Sequence, residues 1–152
     1  MYRFRYAGYV AGYARFDGQL MKLIHIPACH VDYAWRDGAD KLGESCADEC
    51  TPDQLKTRLA MGERDLVRLD DDGKTVGWGA FYVQQLPNMR VFFISNLWAR
   101  GAHFERFFEE LRGWAERLGC SRIRCAALPA QSRIFQTKCQ FKPVYEILEV
   151  LL

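Results

Sequence analysis

The chain has 152 residues, of which 49% are hydrophobic and 26% charged, with a formal net charge of +2. This length suits one domain with a sizeable buried core, and the composition excludes a disordered chain. A net charge of +2 is too small to indicate the concentrated basic surface of a nucleic-acid binder. No apolar run approaches the ~20 residues that span a bilayer.

Six cysteines occur in the sequence, which in a secreted protein would suggest a disulfide framework. Arg3 and Arg5 interrupt the N-terminus, which therefore lacks the apolar segment of a signal peptide. Cys125 and Cys139 fall within apolar-patterned segments, where a free cysteine behaves as a small hydrophobe. We therefore expect a cytoplasmic protein with free thiols.

Residues 1–20 have three interpretations. Aromatic and basic residues alternate over 2–6, but glycines then interrupt any regular element. The segment could be an edge strand, a flexible arm, or upstream sequence added by a misplaced start codon. We favour an arm outside the core and place the folded domain at residues 21–152.

The next elements are predicted from local signals. Residues 21–27 form a short strand that ends at a proline. Residues 28–48 have a weak helical pattern interrupted by glycines, which predicts a broken or bent helix. Thr51 and Gln54, with a proline between them, have the spacing of a capped helix start, and Gly62 ends this helix.

Three strands joined by short turns are predicted next. Residues 65–69 alternate in polarity, and the Asp71-Asp72-Gly73-Lys74 sequence is a strong turn signal. Residues 75–85 then form a long strand. A second turn leads into the central strand at 90–98, whose β-branched and aromatic residues are typical of a strand covered on both faces.

A short break at 99–102 separates the central strand from a long amphipathic helix. Apolar residues recur three and four positions apart from Phe104 to Leu118, and Gly119 follows the helix end. Such a junction presents unpaired backbone N–H groups and the positive end of the helix dipole, where ligands often bind.

The remaining sequence predicts a strand at 122–127, a short helix after Pro129 and a closing strand at 141–152. The full order is strand, two helices, three antiparallel strands, helix, strand, helix and strand. This order predicts a single α/β domain with a mixed, mostly antiparallel sheet flanked by helices.

Three stretches of the sequence follow the pattern of a known family. They are DDGK with TVGWGAFYV, VFFISNLWARG with FERFFEELRGWAERLGC, and RIRCAAL with SRIFQTKCQFKPVY and EILEVLL. With this element order, residues 21–152 resemble the Gcn5-related N-acetyltransferase (GNAT) superfamily. The sequence from LRGWAERLGC onwards also resembles small GNAT-like proteins of tailed phages.

The resemblance implies a site for acetyl-CoA at the strand–helix junction. The residues it implies for the pantetheine and pyrophosphate are Ile94, Ser95, Asn96, Leu97, Arg100, Gly101 and Ala102. Phosphates approach the main chain closely there, so small residues are needed. The loop departs from the family pattern because it is short and lacks a second glycine.

The resemblance also implies a tyrosine near the last helix that protonates the leaving thiolate. In this sequence Gln136 occupies the tyrosine position and Gln140 the glycine that follows it. Glutamine cannot act as a general acid. Tyr82 and Tyr145 are the other candidates for this role.

The general base has no obvious candidate. The strands at 76–85 and 91–98 contain no carboxylate, although Asn96 could position a water. His103 begins the long helix, whose dipole would lower its proton affinity and suit a base. An exposed histidine without a catalytic role is the alternative that we favour.

The histidines and cysteines of the first fifty residues raise the alternatives of a zinc site and a cysteine nucleophile. Residue types that bind zinc are close in sequence at His25, Cys29, His30, Cys46 and Cys50. Their spacing matches no recognised zinc motif, and nothing in the sequence marks one cysteine as activated by a histidine. We expect no metal.

Two functions are consistent with the sequence. The first is transfer of an acetyl group from acetyl-CoA to an unidentified amine on a small molecule or a protein. In that case the bent segment 28–50 would shape the acceptor pocket. The second is a non-catalytic GNAT-fold binding or assembly protein, phage-encoded, with a degenerate coenzyme A site. Neither involves a membrane or nucleic acid, and a protein partner or homodimer is open in both.

Overall fold

A computed structural model describes residues 13–16 and 19–152. Within these residues, six strands form one sheet in sequence order: β1 (Tyr13–Phe16), β2 (Gln19–Ile26), β3 (Asp65–Asp71), β4 (Lys74–Leu86), β5 (Met89–Ala99) and β6 (Arg122–Cys125). All neighbouring strands are antiparallel except β5 and β6, which are parallel. The predicted α/β domain with a mixed, mostly antiparallel sheet is confirmed.

The helices cover both faces of this sheet. They are α1 (Val31–Arg36), α2 (Pro52–Ala60), α3 (His103–Arg117) and α4 (Pro129–Cys139), with short 3-10 helices at Ala28–His30 and Ala39–Ser45. The broken helix predicted for 28–48 therefore consists of α1 and the two 3-10 segments. Within the described residues, no helix is both long and apolar enough to cross a membrane.

The hydrophobic core has two parts, one on each face of the sheet. On one face, Phe107 and Leu111 of α3 pack against strand residues such as Phe81 and Phe92. On the other face, Trp78 is buried among residues of α1, α2 and the second 3-10 helix. Because β4 and β5 are covered on both sides, their residues are apolar at consecutive positions.

The start of α2 is fixed by a reciprocal pair of hydrogen bonds. The Thr51 hydroxyl accepts from the backbone N–H of Gln54 at 3.2 Å, and the Gln54 side chain accepts from the backbone N–H of Thr51 at 2.9 Å. This capping box satisfies two backbone donors that a helix start otherwise leaves free. The predicted helix start is confirmed.

Two glycines of β4 allow α3 to approach the sheet closely. A Cβ atom on Gly79 would lie 3.1 Å from Cζ of Phe107, and one on Gly77 would lie 3.3 Å from Cδ1 of Phe107. Both distances are tighter than normal carbon contacts. The Phe107 ring therefore occupies space that any larger residue at position 79 would fill.

An aromatic cluster holds α4 against α3. Phe135 of α4 contacts Phe104 of α3 with ring centroids 5.2 Å apart, and Phe141 contacts Phe108 at 5.3 Å. Phe135 and Phe141 also meet edge to face at 5.0 Å. Edge-to-face contacts of this kind fix the relative orientation of the rings, so the position of α4 follows that of α3.

The sheet begins within the segment that we interpreted as an arm. Tyr13–Phe16 forms β1 and pairs antiparallel with β2, which itself starts at Gln19. For these residues the structure has the edge strand that was one of the three interpretations. Residues 1–12 and 17–18 lie outside the described residues.

The strand predicted at 141–152 is wrong. Only Phe141 packs on the core, and no strand follows it. Val144 is 62% exposed, and every later apolar side chain is more exposed than that. A strand needs a partner edge, and Pro143 removes one backbone donor. An apolar sequence alone supplies neither the partner edge nor the missing backbone donor.

The contact between Gly79 and Phe107 predicts a specific loss of stability. Gly79→Ala should lower the free energy of unfolding by about 1–3 kcal/mol, because the new methyl group overpacks the core. Gly113→Ala, inside α3, is the matched control and should raise it by up to about 1 kcal/mol, because alanine favours the helix. Urea denaturation of both variants measures the difference. Equal effects would contradict the packing described for Phe107.

Candidate functional site

The central irregularity of the sheet is a bulge in β5. Ala80 of β4 pairs with Asn96, but the next residue, Phe81, pairs with Ile94, so Ser95 has no partner residue on β4. The Ser95 hydroxyl donates to the carbonyl oxygen of Ala80 at 3.2 Å. A bulge of this kind bends the strand and redirects its backbone groups.

On its other side, β5 separates from β6 near the same point. The parallel pairing joins Val91–Ile94 to Arg122–Cys125 and stops there, while β5 continues to Ala99. Backbone donors and acceptors of Ser95 and its successors therefore face a space that no strand of the described chain fills. An extended ligand with amide groups could pair with this edge as an added strand would.

The loop between β5 and α3 borders the same space. The backbone N–H of Arg100 donates to the carbonyl oxygen of Val76 at 2.8 Å, which fixes the start of the loop. Gly101 has a φ of +46°, and nothing lies within 4 Å of the position a Cβ would take. The N-cap residue Ala102 gives α3 no side-chain cap. The N–H of His103 donates to the carbonyl oxygen of Arg100 at 3.0 Å, and the N–H groups that follow it have no side-chain cap and are available to an anion.

These elements enclose a cavity of about 310 Å³. Its walls are β5, the start of α3, the end of β6 and α4. Five of the seven residues that the resemblance implies for the cofactor line it: Ile94, Ser95, Asn96, Leu97 and Gly101. Arg100 and Ala102 are exposed loop residues beside Gly101. Further lining residues are Ser45, Phe104, Cys125, Gln131, Phe135 and Lys138.

Asn96 is a buried polar residue at one end of this cavity. Its side chain is 7% exposed, accepts from Nη1 of Arg64 at 3.2 Å and donates to the Ser45 hydroxyl at 3.0 Å. Ser45 in turn donates to the carbonyl oxygen of Leu42. Because each of these side chains is hydrogen-bonded to the next, the polar groups at this end of the cavity have fixed orientations.

Solved N-acetyltransferases have the same architecture. An aminoglycoside N-acetyltransferase in complex with CoA is 15% identical, with a TM-score of 0.61, and the match covers 89% of this chain and 96% of that one. A ribosomal-protein-alanine N-acetyltransferase from Brucella melitensis biovar Abortus is 12% identical, with a TM-score of 0.62 and coverage of 87% and 97%.

A glucosamine-6-phosphate N-acetyltransferase from Arabidopsis thaliana is 14% identical, with a TM-score of 0.59 and coverage of 86% and 97%. The chain has the GNAT acetyltransferase fold. At these identities the likeness shows the fold and leaves the acceptor undefined. No protein-family model and no curated protein matches the sequence.

Tyr82 and Tyr145, the two tyrosines that the sequence offered as acids, are not among the described residues that line the cavity. The Tyr82 ring stacks on Phe93 with centroids 5.0 Å apart, and its centroid is 5.9 Å from the Arg64 guanidinium carbon. Burial raises the pKa of Tyr82, the charge of Arg64 lowers it and Tyr145 raises it. The net effect is upward, so Tyr82 keeps its proton at neutral pH. Tyr145 is 67% exposed.

His103 is held by hydrogen bonds at both ring nitrogens. Nδ1 lies 2.9 Å from the carbonyl oxygen of Arg100, and Nε2 lies 3.0 Å from a carboxylate oxygen of Asp71. A carbonyl oxygen and a carboxylate oxygen both accept hydrogen bonds, so the two ring nitrogens face acceptors on opposite sides of the ring. In this geometry His103 ties the loop to the end of β3 and is poorly placed to act as a base.

The cysteines and histidines weighed for zinc and nucleophilic chemistry are dispersed. No group of three or more histidine, cysteine, aspartate or glutamate side chains in the described part of the chain could hold a metal ion. His25 contacts Asp65 at 2.9 Å, and all six cysteines are free. Burial raises the pKa of Cys125, which lines the cavity, to about 11.

Arg64 and Ser45 were not predicted as site residues. Arg64 follows α2, and Ser45 ends a 3-10 helix. They are 32 and 51 residues away from Asn96 in the sequence. No local motif marks either position. Ser45 does fall in the bent segment 28–50 that was expected to shape the acceptor pocket.

The raised pKa of Cys125 predicts low thiol reactivity beside the cavity. Only the thiolate is alkylated, and a thiol with a pKa of about 11 is ~0.1% ionised at a pH of about 8. Iodoacetamide should therefore label Cys125 at least about tenfold more slowly than the exposed Cys29, and faster as the pH rises. Mass spectrometry of the labelled peptides measures both rates. Rapid, pH-independent labelling of Cys125 would contradict this environment.

Proposed function

We propose that the protein transfers an acetyl group from acetyl-CoA to an amine. The observation that carries the proposal is the convergence of two features in one cleft. One is the bulged β5 edge at Ser95, which β6 leaves unpaired, and the other is the uncapped start of α3 beside Gly101. The GNAT fold supports the same chemistry.

The residues present fit acetyl-CoA. The β5 edge from Ser95 to Leu97 would pair with the amide groups of an extended pantetheine. Gly101 leaves open space, and the amides at the start of α3 would hold the phosphates. When bound, acetyl-CoA would supply the acetyl group, whose bond to sulfur is exchanged for a bond to the acceptor nitrogen.

The chain's own groups would act mainly by positioning. Among the described lining residues there is no carboxylate, so a protein base for the amine is not available there. Asn96 and Ser45 would instead orient the amine or a water that takes its proton. Holding two reactants in a productive geometry supplies a large part of the acceleration in acyl transfer.

Tyr82 is our candidate for the group that protonates the leaving sulfur. Its environment keeps the phenol protonated at neutral pH, as a general acid requires. It also lies beside Arg64, which contacts Asn96 at the end of the cleft. The proton lost by the phenol would return from solvent, to which Tyr82 is partly exposed.

A non-catalytic binding protein is the second candidate. The glutamines at 136 and 140 and the absence of a carboxylate among the described lining residues favour it. Binding of coenzyme A without transfer to any amine would support this function.

The first test compares two glycines that both lie in the left-handed backbone region. Gly101 and Gly119 both have positive φ and open space around the Cβ position, at opposite ends of α3. Gly101→Glu should weaken acetyl-CoA binding by about tenfold or more, because it places a negative charge where the phosphates bind. Gly119→Glu should bind as the wild type does. Isothermal titration calorimetry gives both dissociation constants.

Gly119→Glu controls for strain, since both substitutions force an L-residue into the left-handed region. Equal affinities for the two variants would place the phosphates away from this loop. If the wild-type protein binds neither acetyl-CoA nor coenzyme A at millimolar concentration, the proposed transfer is wrong.

A second test addresses the proton donor. Tyr82→Phe should lower kcat by about 10²-fold or more and leave the dissociation constant of acetyl-CoA unchanged, because only the hydroxyl is removed. Since the pKa of Tyr82 is raised above its ordinary value, deprotonation of Tyr82 should lower the wild-type kcat only at a pH above about 10. His103→Asn is the control and should retain kcat. An unchanged kcat in Tyr82→Phe would remove Tyr82 from the mechanism.

A further inference from the structure

Arg64 places a positive charge next to Asn96, which lines the cavity. It lies between α2 and β3, is partly buried, and donates from Nη1 to Oδ1 of Asn96 at 3.2 Å. Its guanidinium also lies over the Tyr82 ring at 5.9 Å. Arg64 is not itself a lining residue, but Asn96 lines the cavity and so does Ser45, to which Asn96 donates.

This charge has no counter-ion in the described part of the chain. The two acidic residues that flank it in the sequence are engaged elsewhere: Glu63 with Arg58 at 3.9 Å, and Asp65 with His25 at 2.9 Å. No other described carboxylate forms an ion pair with Arg64. A partly buried cation without a counter-ion is costly. A guanidinium also has five N–H donors, and the hydrogen bond to Asn96 uses only one of them.

The described residues of the cavity wall add no carboxylate. Lys138 is the charged residue among the described lining side chains, and it already pairs with Glu105 at 3.2 Å. The other polar groups of the wall are hydroxyls and amides, at Ser45, Ser95 and Gln131. A polycationic acceptor would therefore find no carboxylate among the described lining residues, whereas an anionic group that reaches Asn96 would meet Arg64.

We propose that the acceptor carries a carboxylate in addition to its amine, and that Arg64 binds this carboxylate. The inference rests on the proposed acetyl transfer. The planar fork of arginine matches a carboxylate with two parallel hydrogen bonds, which no lysine can reproduce. Asn96 already occupies one guanidinium donor and so fixes the fork, while the remaining donors hold the acceptor with its amine directed into the cleft.

The first experiment measures acceptor selectivity. The acceptors are ω-amino acids from glycine to aminohexanoate, each paired with its primary amide, which has the same shape without the charge. The wild-type protein should prefer at least one carboxylate over its amide by about tenfold or more in kcat/KM. In Arg64→Gln this ratio should fall to about one through a rise in KM, and Arg64→Lys should retain part of it.

Arg58→Gln is the matched control, because Arg58 is a neighbouring arginine of α2 that pairs with Glu63 away from the cavity. It should keep the wild-type ratio. Circular dichroism and the coenzyme A affinity of each variant show whether the fold and cofactor site are intact. Transfer to amides as fast as to carboxylates would overturn the inference and leave the proposed acetyl transfer standing.

A binding measurement separates the two proposals if no acceptor is acetylated. The same ω-amino acids are titrated into the protein and followed by the NMR signals of the arginine side chains. Binding by the wild type and by Arg58→Gln, but not by Arg64→Gln, would support the carboxylate site independently of catalysis. If no carboxylate in the series binds the wild type, the inference is wrong.

Discussion

The cleft depends on the point at which β5 parts from β6. Up to Ile94 the two strands pair in parallel, and beyond it β5 pairs with β4 alone. The bulge at Ser95 lies directly after this point. One short interval of the sheet thus has unpaired backbone groups on the side facing α4, where a ligand can replace the missing strand. The aromatic contacts between α3 and α4 hold the opposite wall in place.

Most of the architecture could be predicted because its signals are local. The capping box of Thr51 and Gln54, the turn at Asp72 and Gly73, and the spacing of apolar residues in α3 each lie within a few positions. The order of these elements led to the GNAT fold. Five of the seven residues implied for the cofactor line one cavity, since they follow one another along a strand and its loop.

The rest could not be predicted because it depends on contacts between distant positions. Asn96 joins Arg64 and Ser45, which are separated from it by 32 and 51 residues. The engagement of both nitrogens of His103 depends on Asp71, at the end of another strand. Residues 142–152 have the composition of a strand, yet a strand requires a neighbouring edge that composition does not reveal.

The close approach of α3 to β4 couples two positions of the chain. Phe107 fills the space above Gly79, so the two residues share one fixed volume. In relatives with this cleft, a larger residue at the position of Gly79 should be accompanied by a smaller one at that of Phe107. This paired exchange would identify such relatives even where the loop sequence has diverged, because it reports the distance between helix and sheet and not the phosphate contacts.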